Sequence, residues 1–194
     1  MPVRISSNDI VVVNDMYDSH YQLELKDFVV GCDLLKESAD IGNVKAFSIT
    51  FSADSSNKVL TQYPILRRHL NTILMRECNV FYMVGILLNK GSYIPEHTDN
   101  NIVIPGNILV NHPLYTTIYY AKADTNISGG DLIFSELNKC ITPQTNMMVQ
   151  FPSIYPHSVT AITSDSQRVC IVVEQYKLID FYKQKLMSPL YERG

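Results

Sequence analysis

The chain changes character near residue 80, and the residue pattern of its second half limits the folds open to it. Val80–Leu88, Ile102–Leu109, Tyr115–Lys122, Asp131–Phe134, Met147–Phe151, Ser158–Ile162 and Val169–Tyr176 are short runs rich in Val, Ile, Tyr and Thr, separated by Gly, Pro, Asn and Ser. Many short strands at close spacing predict an antiparallel sandwich or barrel. Before residue 80 the periodicity is different. Tyr21–Lys36 places Leu23, Phe28, Leu34 and Leu35 among charges, and Leu60–Glu77 puts Leu66, Leu70, Ile73 and Leu74 on one stripe, so both predict helices. Between them, Val44–Ser52 alternates around Phe47, Ile49 and Phe51 as a half-buried strand does. Ile179–Met187 predicts a last short helix. The expectation is a mainly β protein with N-terminal helices. It reads as one domain over 1–194, with a helical support region at 1–79, a β core at 80–178 and a tail at 179–194.

Composition narrows the function classes. With 194 residues, 46% of them apolar, the chain can bury a sizeable core. Its net charge of −3 gives no cationic surplus for gripping phosphate backbones, so no nucleic-acid partner is expected. The apolar run Val80–Leu88 is about half of what a membrane helix needs, and the N-terminus shows no signal-peptide core, so no membrane partner and a cytoplasmic location are expected. Cys32, Cys78, Cys140 and Cys170 form no CxxC pair and read as buried, reduced thiols.

Three features of the second half carry chemistry together. His97-Thr98-Asp99 sets an imidazole and a carboxylate at i and i+2, which face the same way on an extended chain. His157 comes directly after Pro156, which forces an extended or turn backbone ahead of the next strand. Arg168 opens the strand after that. Two His and one carboxylate make the facial triad that holds non-haem Fe(II) on one side and leaves positions open for oxygen chemistry. A deep Arg offers a fixed fork for a carboxylate. His20, His69 and His112 are assigned nothing. Asn100 is a candidate to orient Asp99 or a plain loop residue, Glu96 faces either substrate or solvent, and one of Gly129 and Gly130 is expected at positive φ.

These segments resemble a known family. Gly91–Asn100, Thr117-Ile118-Tyr119-Tyr120, Ser128–Phe134, Pro156-His157 and Arg168-Val169 are similar, in order and spacing, to the catalytic core of the Fe(II)/2-oxoglutarate-dependent dioxygenases, nearest the prolyl-hydroxylase branch. The resemblance covers Val80 to Tyr176, about half of the chain. It implies a double-stranded β-helix (a jelly-roll barrel, cupin-like) with Fe(II) on His97, Asp99 and His157 at its open end. It implies 2-oxoglutarate as cosubstrate on Arg168, with O2 as oxidant, and a Tyr contacting the cosubstrate. Alternation sets Ile118 and Tyr120 on one side and Tyr119 on the other; Tyr120 is taken as the contact, with Tyr119 as the alternative. Lys177 is the reserve anchor, because the gap from His157 to Arg168 is slightly longer than in prolyl hydroxylases.

The reaction so implied is hydroxylation of an unactivated C–H bond, giving succinate and CO2. The substrate is a prolyl or other side chain of a protein or peptide, or else a free amino acid or small metabolite. Retention of Asp99 distinguishes the chain from the superfamily's halogenases. Glu174, where repair demethylases carry a second Arg six residues after the anchor, argues against nucleic acid. The rival reading is a metal-binding jelly roll without turnover, which has no need of Arg168.

Overall fold

The computed structural model describes residues 7–37, 44–100, 102–104, 108–109, 112–178 and 191–193. In chain order the elements are β1 (Val11–Val13), α1 (Ser19–Val30), β2 (Lys36–Glu37), β3 (Val44–Ser52), α2 (Ser56–Gln62), α3 (Leu66–Ile73), β4 (Val80–Leu88), β5 (Ile94–His97), β6 (Val103–Ile104) and β7 (Ile108–Leu109). They continue with β8 (Tyr115–Ala123), β9 (Leu132–Phe134), β10 (Lys139–Ile141), β11 (Met147–Pro152), β12 (His157–Val159), β13 (Arg168–Tyr176) and β14 (Tyr191–Arg193).

The strands form two antiparallel sheets and a small β6–β7 ribbon. The larger sheet runs β1-β11-β8-β13-β4-β3-β14, with β2 on the free side of β3, and the smaller runs β10-β9-β12-β5. From β4 onward the chain crosses between them: β4 lies in the larger sheet, β5 in the smaller, β8 in the larger, β9 and β10 in the smaller, β11 in the larger, β12 in the smaller and β13 in the larger. That alternation winds the two sheets into a double-stranded β-helix. The expected strands at Val44–Ser52 and Val80–Leu88 form over those residues.

Side-chain alternation gives the larger sheet two different faces. Phe47, Ile49 and Phe51 of β3, Phe81 and Met83 of β4, Tyr119 and Ala121 of β8, and Val169, Ile171 and Val173 of β13 pack with Leu25 and Val29 of α1 and with Leu66 and Leu70 of α3. The opposite face, with Ile118, Tyr120 and Cys170, packs with Leu132, Phe134, Val149 and Phe151 between the sheets. Hydrophobic burial on both faces fixes the register, because a one-residue slip would exchange them.

The helices are shorter than the periodicity suggests, and the breakers explain why. α1 is capped by Asp18, whose side chain accepts from the Tyr21 amide, and it stops at Gly31 rather than running to Lys36. The stretch expected as one helix over Leu60–Glu77 is two, because Pro64 bars Tyr63 from helical geometry; Tyr63 sits at φ −126° and ψ 73°. The run Ile102–Leu109 holds β6 and β7 rather than one strand, and the short strands β1, β2, β5, β10 and β14 were not expected. The helix expected over Ile179–Met187 lies outside the described residues. No described helix is long and apolar enough to cross a membrane. None of the four cysteines forms a disulfide; Cys78 and Cys170 are buried as expected, Cys32 is partly buried and Cys140 is exposed.

Candidate metal centre and its cavity

The smaller sheet brings the two site histidines together. His157 on β12 is the cross-strand partner of His97 on β5, and the ring centroids lie 4.4 Å apart. Asp99 lies just past the end of β5, and its Oδ1 is 3.5 Å from His97 Nε2 and 3.9 Å from His157 Nε2. One ligand atom from each residue falls within 4.8 Å of the others, the spacing of a group that can hold a metal ion.

Each imidazole is oriented by its own backbone. His97 Nδ1 lies 2.9 Å from the Pro95 carbonyl, and His157 Nδ1 lies 3.0 Å from the Tyr155 carbonyl. A carbonyl can only accept, so each Nδ1 carries the hydrogen and each Nε2 is the nitrogen turned toward Asp99: protonated, it donates to the carboxylate, and neutral, it can ligate a metal.

Asp99 is held in turn. Thr116 of β8 donates its hydroxyl to Asp99 Oδ2, and Thr116 Oγ1 lies 2.7 Å from Ser153 Oγ. His112 donates from Nδ1 to the Asp99 carbonyl at 2.9 Å. Thr116, Ser153 and His112 carried no assignment in the sequence. The parity that turns Ile118 and Tyr120 inward also turns Thr116 inward, so that residue was within reach; the loop residues Ser153 and His112 gave no such signal. No hydrogen bond joins Asn100 to Asp99 among those described, and the buried Asn100 Oδ1 has no partner among the described residues. Glu96 is exposed and accepts from Ser135.

Electrostatics follow this geometry. Burial raises the Asp99 carboxyl, but the hydrogen bonds from His97 and Thr116 and the nearby His157 outweigh it and hold the group below its usual range. Burial lowers His97, yet its contacts with Asp99 and the Pro95 carbonyl leave it raised. His157 is more deeply buried and stays lowered despite Asp99.

The triad lies on the wall of a cavity of about 370 Å³ between the two sheets. Much of the wall is aliphatic: Val84 and Ile86 of β4, Ile118 of β8, Leu132 of β9, Val159 of β12 and Val172 of β13. Arg168 also lines it and is 2% exposed. One guanidinium nitrogen of Arg168 donates to the Gly130 carbonyl, and the guanidinium lies 5.2 Å from the centroid of the Tyr120 ring.

Gly130 and Gly129 both adopt positive φ, at 76° and 79°. A Cβ on Gly129 would come within 1.9 Å of the Ala161 carbonyl oxygen, so this turn requires glycine there. Arg168 Nε and the Tyr120 hydroxyl are buried and have no partner among the described residues, and no carboxylate there forms an ion pair with Arg168. Burial pushes the Tyr120 phenol well above its ordinary value, so it stays protonated as a donor. Tyr119, on the other face, packs against α1 and α3, and Lys177 is exposed, so neither reaches this end.

Two imidazole nitrogens and a carboxylate suit a divalent metal of the Fe(II) class and leave one side open. A buried guanidinium beside a buried phenol, each with an unused donor, suits a carboxylate. Residues 81–173 match the 2OG-Fe(II) oxygenase superfamily. That match spans 93 of the 194 residues and takes in the triad, Tyr120 and Arg168. The chain is a 2-oxoglutarate-dependent oxygenase, and the matched superfamily's chemistry runs on Fe(II), 2-oxoglutarate and O2.

No curated protein sequence matches this oxygenase. Its fold is found in solved structures. The viral collagen prolyl hydroxylase of Paramecium bursaria Chlorella virus-1, in a 2OG complex, aligns with TM-score 0.59 at 15% identity over 89% of this chain and 98% of that one. A Trichoplax adhaerens prolyl hydroxylase, in complex with a hypoxia inducible factor peptide fragment, aligns with TM-score 0.59 at 15% identity over 92% of this chain and 87% of its own. HygX of Streptomyces hygroscopicus, with nickel and 2-oxoglutarate bound, gives TM-score 0.58 at 8% identity over 88% and 86%.

Proposed function

We propose that the oxygenase hydroxylates an unactivated C–H bond of a prolyl or other side chain in a protein or peptide, with Fe(II) on His97, Asp99 and His157 and 2-oxoglutarate anchored by Arg168. The observation that carries this reading is a buried guanidinium with an unused Nε donor in the same cavity as the triad. A buried cation without a counter-charge is strongly unfavourable, and a cosubstrate carboxylate supplies that charge. The rival reading, a metal-binding jelly roll without turnover, leaves this donor without a purpose.

When bound, Fe(II) and 2-oxoglutarate supply the chemistry: oxidative decarboxylation to succinate and CO2, coupled to delivery of one oxygen atom of O2 to the substrate. The chain's own residues prepare for it. The Pro95 and Tyr155 carbonyls fix both imidazoles with Nε2 toward the metal position. Thr116 holds the Asp99 carboxylate. Arg168, braced by Gly130 and the Tyr120 ring, receives the far carboxylate, and the Tyr120 hydroxyl donates to the same group. The aliphatic walls keep water from competing with these interactions.

The prolyl hydroxylases among the similar folds support a peptide substrate. A free amino acid or small metabolite is the second reading, favoured by a cavity the size of a small-molecule site. Anaerobically prepared enzyme, given Fe(II), 2-oxoglutarate and O2, should form succinate, and Arg168→Ala should suppress this at limiting 2-oxoglutarate. Succinate formation that is indifferent to Arg168→Ala would overturn the anchor.

A further inference from the structure

β3 divides its side chains unequally between its two faces. Phe47, Ile49 and Phe51 fill the side that packs with the helices. The alternate positions Val44, Ala46, Ser48 and Thr50 face the other way, and none of them is larger than valine. Val44 and Ala46 line the same cavity as the triad, and Ala46 carries the smallest side chain of its described wall.

Topology and register set this flank apart from the cosubstrate anchor. In strand order the two sheets match, β8-β13-β4 against β9-β12-β5, so β3 lies beyond the last strand of the smaller sheet. Val44 pairs with Leu88, and Leu88 with Arg168; Ala46 pairs with Ile86, and Ile86 with Cys170. Neighbouring strands are about 4.8 Å apart, so the β3 flank lies level with Arg168 but about 10 Å to its side. Ile94 and Pro95 of β5 line the cavity three and two residues before His97, roughly 7–10 Å from it along the strand. Pro95 is also exposed, which marks where the flank meets the surface beside the metal position.

We infer that this flank takes an uncharged hydrocarbon group of the substrate, of the size of a leucine or proline side chain, and that Ala46 sets how large that group can be. This rests on the reading of the cavity proposed above and deepens it. Val44, Ala46, Ile86, Ile94 and Pro95 present no polar side-chain atom. Water held among them finds no hydrogen-bond partner on their side chains, whereas a hydrocarbon group gains by leaving water. The polar members of the wall stand elsewhere: Arg168 two strands away, and Tyr82 and Glu174 on a row four residues, about 13 Å, along β4 from Ile86. A hydrocarbon group entering beside Pro95 brings its C–H bonds to the neighbourhood of His97.

The test uses oxygen-free enzyme loaded with Mn(II) and 2-oxoglutarate, with ligand binding followed by calorimetry. L-Leucine, L-valine and L-proline are compared with the polar near-isosteres L-asparagine, L-threonine and 4-hydroxy-L-proline. The same side chains in N-acetyl amide form distinguish a peptide residue from a free amino acid. In wild type, an aliphatic probe of at least one form should bind about tenfold or more tighter than its polar counterpart. Ala46→Leu, which fills the flank, should weaken that probe about tenfold or more and leave 2-oxoglutarate affinity within about twofold. Ala46→Val is the second variant, should the first fail to fold.

Equal binding of aliphatic and polar probes, absence of aliphatic binding by enzyme that holds 2-oxoglutarate, or aliphatic affinity that survives both variants would each overturn the inference. So would a matching loss of 2-oxoglutarate affinity in Ala46→Leu, which would give the flank to the cosubstrate. Failure of wild type to bind 2-oxoglutarate in the same samples would instead overturn the reading of the cavity on which the inference rests.

Discussion

The Thr116 hydroxyl donates to Oδ2 of Asp99 from a central strand of the larger sheet, tying the site carboxylate to the rigid body of the barrel. Oδ1 is thereby left facing both histidines. Such supporting hydrogen bonds set the orientation and basicity of a ligand, and their loss typically lowers metal affinity about 10–100-fold. Thr116→Val should weaken Mn(II) or Fe(II) binding by that factor while leaving the fold intact, and Thr116→Ser should restore most of it. Metal affinity equal to wild type in Thr116→Val would show that Asp99 needs no such support.

Arg168 makes a different prediction, because it is not one of the three residues grouped to hold a metal. Arg168→Ala should weaken 2-oxoglutarate by about 1.5–3 kcal/mol, the usual worth of a charged hydrogen bond, with metal affinity preserved. Arg168→Lys should recover only part of the loss, since a point charge cannot reproduce the guanidinium fork. Titrating 2-oxoglutarate into Mn(II)-loaded variants measures both.

His69 should make the fold acid-sensitive. It is wholly buried, with Nδ1 3.0 Å from the Tyr17 hydroxyl and Nε2 without a partner among the described residues. Burial lowers its pKa from 6.5 to about 3. The unfolded chain therefore binds a proton near pH 6.5 that the folded chain refuses until about pH 3, so stability present above that window is lost as pH falls through it. The slope from one such proton approaches about 1.4 kcal/mol per pH unit. Urea unfolding at pH 6.5, 5.5 and 4.5 should show a shallower fall for His69→Phe than for wild type. Parallel slopes would remove His69 as the source.

Gly129 tests the turn whose next residue, Gly130, accepts from Arg168. An alanine there meets the Ala161 carbonyl and must hold φ near 79°. Gly129→Ala should cost at least about 2 kcal/mol in urea unfolding. Since Gly130 receives a hydrogen bond from Arg168, 2-oxoglutarate affinity should fall with it.

The strands of the core were legible in the sequence because burial on both faces of β4 and β13 leaves unbroken apolar runs bounded by turn residues. That His97, Asp99 and His157 would converge was legible because residue types able to ligate a metal are scarce and their order suits neighbouring strands; Arg168 stood out as the Arg opening the next strand, and the structure places it in the same cavity. Tyr120 was separated from Tyr119 by alternation alone, and the structure places it under Arg168. What sequence could not supply were the contacts made across the fold. Ser153 meets Thr116, and His112 meets the Asp99 carbonyl, through loops whose course no local pattern sets. Helix ends were misplaced where one breaker, Gly31 or Pro64, outweighed a favourable stripe. Short edge strands such as β1, whose Val11 to Val13 are all exposed, have no buried face to leave a period in the sequence.

The account stands most directly on a titration of oxygen-free protein with Fe(II) and then 2-oxoglutarate, monitored in the visible region. Wild type should develop the weak charge-transfer band of a metal-chelated cosubstrate, and His97→Ala should not. Tight Fe(II) binding by wild type with no band on adding 2-oxoglutarate would contradict the account and leave a metal-binding jelly roll in its place.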